Sequence, residues 1–265
     1  MGLLRIVSLY SGSEGNAFLI STPTGSILID AGKNAKHLCA ALTEVGVSPE
    51  EIKAIFVTHE HSDHIGALSV FLKKYPIPVH ILSGCAYKLA TAPSIAPCLC
   101  LHPPIYSETV GEMTVTSFPT PHDSRASAGY RIEIPKEDGG VFRIGYATDI
   151  GHVSNYVEQG LLGCDAVILE SNHDPEMLHT GPYPYDLKMR IASRRGHLSN
   201  PDCAAFAARL CAAGAKHLML AHLSRENNTP DTAYCECVGA VGDEKVSICV
   251  AQPDRITVLL EGEVL

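Results

Sequence analysis

The chain has 265 residues, 46% of them hydrophobic, with 20 basic against 29 acidic side chains and a formal net charge of −9. That much apolar material buries a large core and excludes a disordered or coiled-coil chain, while the acidic balance excludes a broad basic face for non-specific nucleic-acid binding but leaves room for a local patch. No apolar run reaches the roughly 18 residues a membrane span needs, and the opening MGLLRIVSLYSGSEGN lacks the features of a signal peptide, so a cytoplasmic protein with no membrane partner is expected.

Three strand-like runs lead, LLRIVSL, AFLIST and SILID, separated by turns bearing Gly, Ser or Pro. A helix is predicted over Ala35 to Val45, and a β-branched run, AIFV, then reaches Thr58. Helix-like and strand-like pieces follow to His80, and Thr91 to Pro104, rich in Pro and Cys, has no period. MTVTSF, AGYRIEI, VFRIGYA and AVILE read as further strands. After Pro201, suited to the first helical position, apolar side chains recur at Cys203, Phe206, Ala207, Leu210 and Cys211 before Gly214, the stripe of an amphipathic helix. HLMLA follows as a buried strand, Thr229-Pro230 caps a last helix, and VSICVA and RITVLL close the chain. With no linker or repeat in view, residues 1–265 are expected to form one α/β domain, a sheet-rich sandwich.

The ten cysteines are dispersed along apolar segments (Cys39, Cys164, Cys203, Cys211, Cys249), as small buried hydrophobes in a reducing compartment are. Two C-x-C pairs, Cys98/Cys100 and Cys235/Cys237, lack a second ligand pair at knuckle spacing. No structural zinc site is expected from them, although His102 follows the first.

Chemistry concentrates in THEHSDHIG, where His59, His61, Asp63 and His64 stand directly after an apolar strand. His59 and His64 are five apart and do not share a helical face, so this is not the metalloprotease HExxH. In an extended or turning segment His59 and His61 point to one side, and Asp63 and His64 toward a neighbouring point. Each of three further strands delivers a ligand type a few residues past its end: His122, Asp149 and His222. Together these make one site of His59, His61 and His122 and another of Asp63, His64 and His222, with Asp149 bridging. A hydroxide held between two cations roughly 3.5–4 Å apart is a nucleophile at neutral pH, with the same cations neutralising an anionic substrate. Zn²⁺ suits such ligands, with Mn²⁺ or Fe as alternatives. Asp30, ending SILID, is placed to orient a ligand or the nucleophile.

These residues resemble the metallo-β-lactamase superfamily: the aspartate of ILIDAG, the H-x-H-x-D-H run, then separate His, Asp and His, in order over nearly the whole chain. The resemblance implies a four-layer αββα sandwich with a dinuclear site at one edge of the two sheets. The opening SLYSGSEGNAFLI, ESNHD at 170–174, RGHLSN and LAHLSRENNTP are similar to the YycJ (WalJ) branch, which implies a 5′-to-3′ DNA exonuclease. GHLSN is also similar to a segment of ribonuclease Z, which implies that Glu170 and His197 serve proton transfer. A phosphodiester has a poor alkoxide leaving group, so a histidine acting as general acid is useful, and Glu170 is suited to hold that ring. Lys188, Arg190, Arg194 and Arg195 would face phosphates, and the small-residue loop of Ser11, Ser13 and Asn16 would cradle one through its amides. Two alternatives share the metal site, a small or cyclic phosphodiesterase and a ribonuclease. A third is a metal-bearing regulatory protein with little turnover. No obligate protein partner is evident.

Overall fold

The computed structural model describes residues 3–264. Strands β1 (Leu3–Tyr10), β2 (Ala17–Thr22), β3 (Gly25–Ile29), β4 (Ile52–Phe56), β5 (Val79–Leu82) and β6 (Leu99–His102) form one sheet. A second contains β7 (Ser107–Val110), β8 (Met113–Pro119), β9 (Ala128–Pro135), β10 (Val141–Ala147), β11 (Ala166–Glu170), β12 (His217–Ala221) and β13 (Ser247–Val250). The last strand, β14 (Thr257–Val264), returns to pair with β1 and completes the first sheet.

Each sheet changes character at its middle. β14, β1, β2 and β3 pair antiparallel and β3 to β6 parallel; β7 to β10 pair antiparallel and β10 to β13 parallel. Parallel neighbours need crossovers, and the helices lie there. α1 (Ala35–Glu44) joins β3 to β4, and α2 (Ser62–Ile65) with α3 (Leu68–Lys74) joins β4 to β5. In the second half α4 (Asn155–Leu161) precedes β11. α5 (Pro175–Thr180), α6 (Tyr185–Ile191) and α7 (Asn200–Ala212) lie between β11 and β12, and α8 (Pro230–Val241) follows β12.

The sheets pack face to face around aromatic contacts, Phe18 edge-on to Tyr146 at 5.0 Å and Phe56 edge-on to Tyr130 at 5.7 Å between ring centroids. Alternation along β11 sorts its residues between two cores. Ala166 and Ile168 face the opposite sheet, and Val167 and Leu169 meet Cys203, Phe206 and Leu210 of α7. Glu170 continues the inward phase and is fully buried, a carboxylate that the alternation delivers to the interior. The helices and sheets together make the αββα sandwich. Phe206 is 2% exposed in the outer core, so Phe206→Ala is expected to cost about 3–5 kcal/mol of stability. Urea unfolding monitored by circular dichroism checks this, with the midpoint falling and the slope unchanged.

Several expectations are adjusted. Asn200 rather than Pro201 opens α7, with Ser199 as its cap accepting from Asp202 N; Thr229 caps α8 as expected, with Pro230 its first residue. The stretch without a period resolves into single turns at Leu89–Thr91 and Ala96–Cys98 and the short β6. α4, α5 and α6 are too short for a 3.6-residue period to register. All ten cysteines are free thiols, and no helix among the described residues is long and apolar enough to cross a membrane.

Candidate active site

The reactive side chains gather where strands of both sheets end. Asp30 follows β3, His59 lies just beyond β4, His122 beyond β8, Asp149 beyond β10, Glu170 ends β11 and His222 follows β12. This is the carboxyl edge, where open α/β sheets place ligands. Asp30, Asp149 and His222 have φ of 62°, 56° and 58°, a left-handed conformation that turns the chain sharply off its strand. Asp and His tolerate it better than most residues, and such backbone strain concentrates at functional sites.

The H-x-H-x-D-H run makes the predicted turn. His61 stands at the cap position of α2, whose single turn carries Asp63 and His64. Gly32 permits this packing, since a Cβ there would lie 1.9 Å from the Asp63 carbonyl oxygen. One cluster results from His59 Nε2 and His61 Nδ1, 2.9 Å apart, with His122 Nε2 3.4 Å from the latter. The other places Asp63 Oδ2 3.1 Å from His64 Nε2 and 3.5 Å from His222 Nε2. Asp149 stands between them, Oδ1 3.7 Å from His122 Nε2 and 3.5 Å from His222 Nε2, Oδ2 3.3 Å from His64 Nε2.

Hydrogen bonds behind the rings fix their tautomers. His64 Nδ1–H donates to Asp30 at 2.7 Å, and Asp30 also accepts from the amide and hydroxyl of Thr58. His122 Nδ1–H donates to the Gly196 carbonyl at 3.2 Å. Both Nε2 lone pairs therefore face inward, and that of His64 meets carboxylate oxygens of Asp63 and Asp149, acceptor against acceptor. Asp149 Oδ2 is buried with no hydrogen-bond partner. A cation resolves both conflicts, so the donor set fits divalent metal ions. Burial disfavours a charged His222, yet Asp149, Asp63 and Glu170 push it up to about 10; burial and the neighbouring imidazoles hold His59 well below the ordinary range. The first cluster is thus three imidazoles, while the second contains the carboxylate of Asp63. Asp30→Asn keeps shape and tolerates the left-handed backbone but weakens the brace on His64. Metal affinity is expected to fall about 10–100-fold, checked by competition with a chromogenic chelator.

The segment 194–200 is stitched beside this site. Asn172 N donates to Leu198 O and Asn200 N to His173 O, both at 2.9 Å, aligning the end of β11 with RGHLSN. His197 Nδ1 then meets Glu170 Oε1 at 2.7 Å, while Glu170 Oε2 accepts from the amides of Ile150 and Leu198. Burial opposes ionisation of Glu170, but His197 and His222 outweigh it and hold the carboxyl well below the usual carboxylate range. Gly196 is required because a Cβ would lie 2.2 Å from the carbonyl oxygens of Arg190 and Ile191.

The phosphate-facing expectations divide. Ser11 is buried, its hydroxyl bonded to Asn16 and to the amide of His222, and Asn16 Nδ2 reaches Asp63 Oδ2 at 3.4 Å. The amides of Ser11, Gly12, Gly15 and Asn16 already have acceptors in the protein, so this loop braces Asp63 and His222 rather than forming an open cradle; Ser13 alone of the three named residues is exposed. Lys188 lies on the face of α6 away from the site and donates to the His179 carbonyl. Arg195 spends its guanidinium on the carbonyls of His122 and Ser124, and Arg194 is exposed, with its carbonyl accepting from His152. Arg190 does reach the site. It pairs with Asp123 and borders two clefts, one of about 190 Å³ containing His197 and one of about 570 Å³ containing His61 and Asp63.

Sequence reasoning passed over Asp123, whose Oδ1 is 3.2 Å from His122 Nε2; its position beside His122 in PHDS was the available signal. It also passed over the amide network behind the site, in which Asn228 bonds the carbonyls of Ser171 and Asn172 and the side chain of Asn200, and Asn172 bonds the His222 carbonyl at 2.8 Å.

Residues 26–223 match the family described as Beta-lactamase superfamily domain. The chain is 32% identical over 263 residues to exodeoxyribonuclease WalJ of Streptococcus pneumoniae, covering 96% of each. It is 33% identical over 246 residues to exodeoxyribonuclease YycJ of Bacillus anthracis, covering 91% of this chain and 90% of that one. The solved structure of the metallo-β-lactamase fold protein YhfI from Bacillus subtilis superposes with a TM-score of 0.71 at 18% identity, covering 97% of this chain and 100% of that one. The chain is therefore a metal-dependent hydrolase that belongs to the β-lactamase superfamily and, within it, to the family that includes the exodeoxyribonucleases WalJ and YycJ.

Proposed function

We propose that the chain is a 5′-to-3′ DNA exonuclease acting in the cytoplasm with two divalent ions, zinc in the first instance and manganese or iron as alternatives. The observation that carries this reading is the 2.7 Å His197–Glu170 pair set against the ligand cluster. Such a pair serves a leaving group that needs a proton, as an alkoxide does and a phenolate needs less. The names of the relatives WalJ and YycJ point the same way.

His59, His61 and His122 would hold one ion and Asp63, His64 and His222 the other, with Asp149 shared. When bound, the ions supply an activated water and neutralise charge on the diester. His197 uses Nδ1 toward Glu170 and leaves Nε2 for the substrate. As the bond from phosphorus to the leaving alkoxide oxygen breaks, His197 passes a proton to that oxygen, and Glu170 stabilises the charged ring beforehand. Arg190, at the junction of the two clefts, is the basic side chain placed to meet a phosphate, and Ser13 lines the same wall.

Incubation of the purified protein with Mn²⁺ or Zn²⁺ and 5′-phosphorylated duplex DNA is the direct test. The expected result is chelator-sensitive release of nucleotides, beginning at the 5′ end; absence of release overturns the proposal. A second reading, a small or cyclic phosphodiester substrate, is favoured by the engagement of Lys188 and Arg195 with the protein itself. Faster turnover of cyclic nucleotides than of polymer DNA would select it.

A further inference from the structure

Away from the catalytic cluster, the sheets meet again at their opposite edges, where the chain leaves β6 of the first sheet and enters β7 of the second. Here His80 of β5 and His102 of β6 bring Nδ1 and Nε2 within 3.0 Å of one another. The two rings belong to a continuous stack. Phe56 lies over His80 at 4.6 Å, His80 over His102 at 5.1 Å and His102 over Tyr106 at 3.8 Å, with interplanar angles of 15°, 11° and 9°. Glu108 of β7 faces them, and its carboxylate and the two ring nitrogens all lie within 4.8 Å of one another.

We propose that His80, His102 and Glu108 form a zinc site, distinct from the catalytic centre, that ties the edge strands of the two sheets together. Two imidazoles and one carboxylate, with water in the fourth position, are a known zinc donor set, with Zn–N of about 2.0–2.1 Å and Zn–O of about 2.0–2.2 Å. The paired nitrogens are already close enough to share an ion, and Glu108, half-buried at the rim, closes on it by a change of rotamer. A ring-to-ring hydrogen bond accounts for the two histidines but not for the carboxylate, which has no hydrogen-bond or ion-pair partner among the described residues. Burial lowers the proton affinity of both rings, so they are held in the neutral, ligating form. Cys100 lines the same cleft, of about 550 Å³, beside His80 and Glu108. The sequence grouped His102 with Cys98 and Cys100; the structure instead pairs it with His80 across two strands.

The test is a zinc titration of chelator-stripped protein, followed by dialysis and elemental analysis. His102→Phe keeps an aromatic ring in the stack and removes the ligating nitrogen. The variant is expected to retain one equivalent of zinc fewer than the wild type and to keep its hydrolytic rate, since none of the three residues touches the catalytic cluster. Equal zinc content in the two proteins overturns the proposal. Glu108→Gln keeps the test decisive should His102→Phe fail to fold. Its affinity for the additional ion is expected to fall about tenfold or more, since even residues behind a ligand contribute that much, and a titration curve identical to that of the wild type overturns the proposal.

Discussion

Replacing His197 by alanine is expected to lower the rate on 5′-phosphorylated duplex DNA by about 10²–10⁴-fold, the range for a lost general acid, without changing metal content. The ring is 20% exposed at the cleft; it lies 3.7 Å from Asp149 Oδ1 and stacks on His222 at 5.2 Å, but His122 and His64 are oriented from behind by the Gly196 carbonyl and by Asp30, which the substitution leaves in place. The decisive control is the leaving group. Bis(p-nitrophenyl) phosphate expels a stabilised phenolate that needs little help from an acid, so His197→Ala should lose far less on that substrate than on DNA. An equal loss on both would assign His197 to binding or structure. Loss of bound metal in the variant would make it a ligand. Glu170→Gln keeps the hydrogen-bonding shape but removes the buried charge facing the ring. It should reproduce part of the loss on DNA and spare the activated ester, as expected of a residue acting through His197.

How much of this was legible beforehand follows from the range over which each interaction acts. His59 to His64 could be read because four ligand types in six residues are a local signal, and Asp149 and His222 because each stands just past an apolar run. Their left-handed backbone could not be read, although the choice of Asp and His at those turns is consistent with it. The direction of Lys188 and Arg190, two positions apart, depends on how the seven-residue α6 is docked: one face meets the site and the other the His179 carbonyl. Charge counting could not separate them. The loop at Ser11 has the composition of a phosphate cradle, yet its amides are consumed by contacts from residues such as Asp63 and Gln252, which are remote in sequence. The same limit hid the pairing of His80 with His102, which requires knowing that β5 and β6 are neighbours.

The largest effect is expected at Asp149, because its carboxylate oxygens lie among the ring nitrogens of both clusters. Asp149→Asn preserves volume and tolerates φ of 56°, so the backbone turn survives and the change is confined to charge. A neutral amide cannot balance two cations, and in one of its orientations it presents N–H groups toward the ring nitrogens. The variant should lose at least one equivalent of metal on dialysis. Its rate should fall at least about 10³-fold, since the ions contribute several kcal/mol of transition-state stabilisation and each ~1.4 kcal/mol is a factor of ten. Stability supplies an independent readout. At a free zinc concentration 100 times its Kd, a site that exists only in the folded state adds about 2.7 kcal/mol. Zinc should therefore raise the melting temperature of the wild type by more than that of Asp149→Asn, even where both metal-free proteins melt alike. Equal zinc-induced stabilisation would place Asp149 outside the metal shell, and the buried, unpartnered Oδ2 would then need a different cation to explain it.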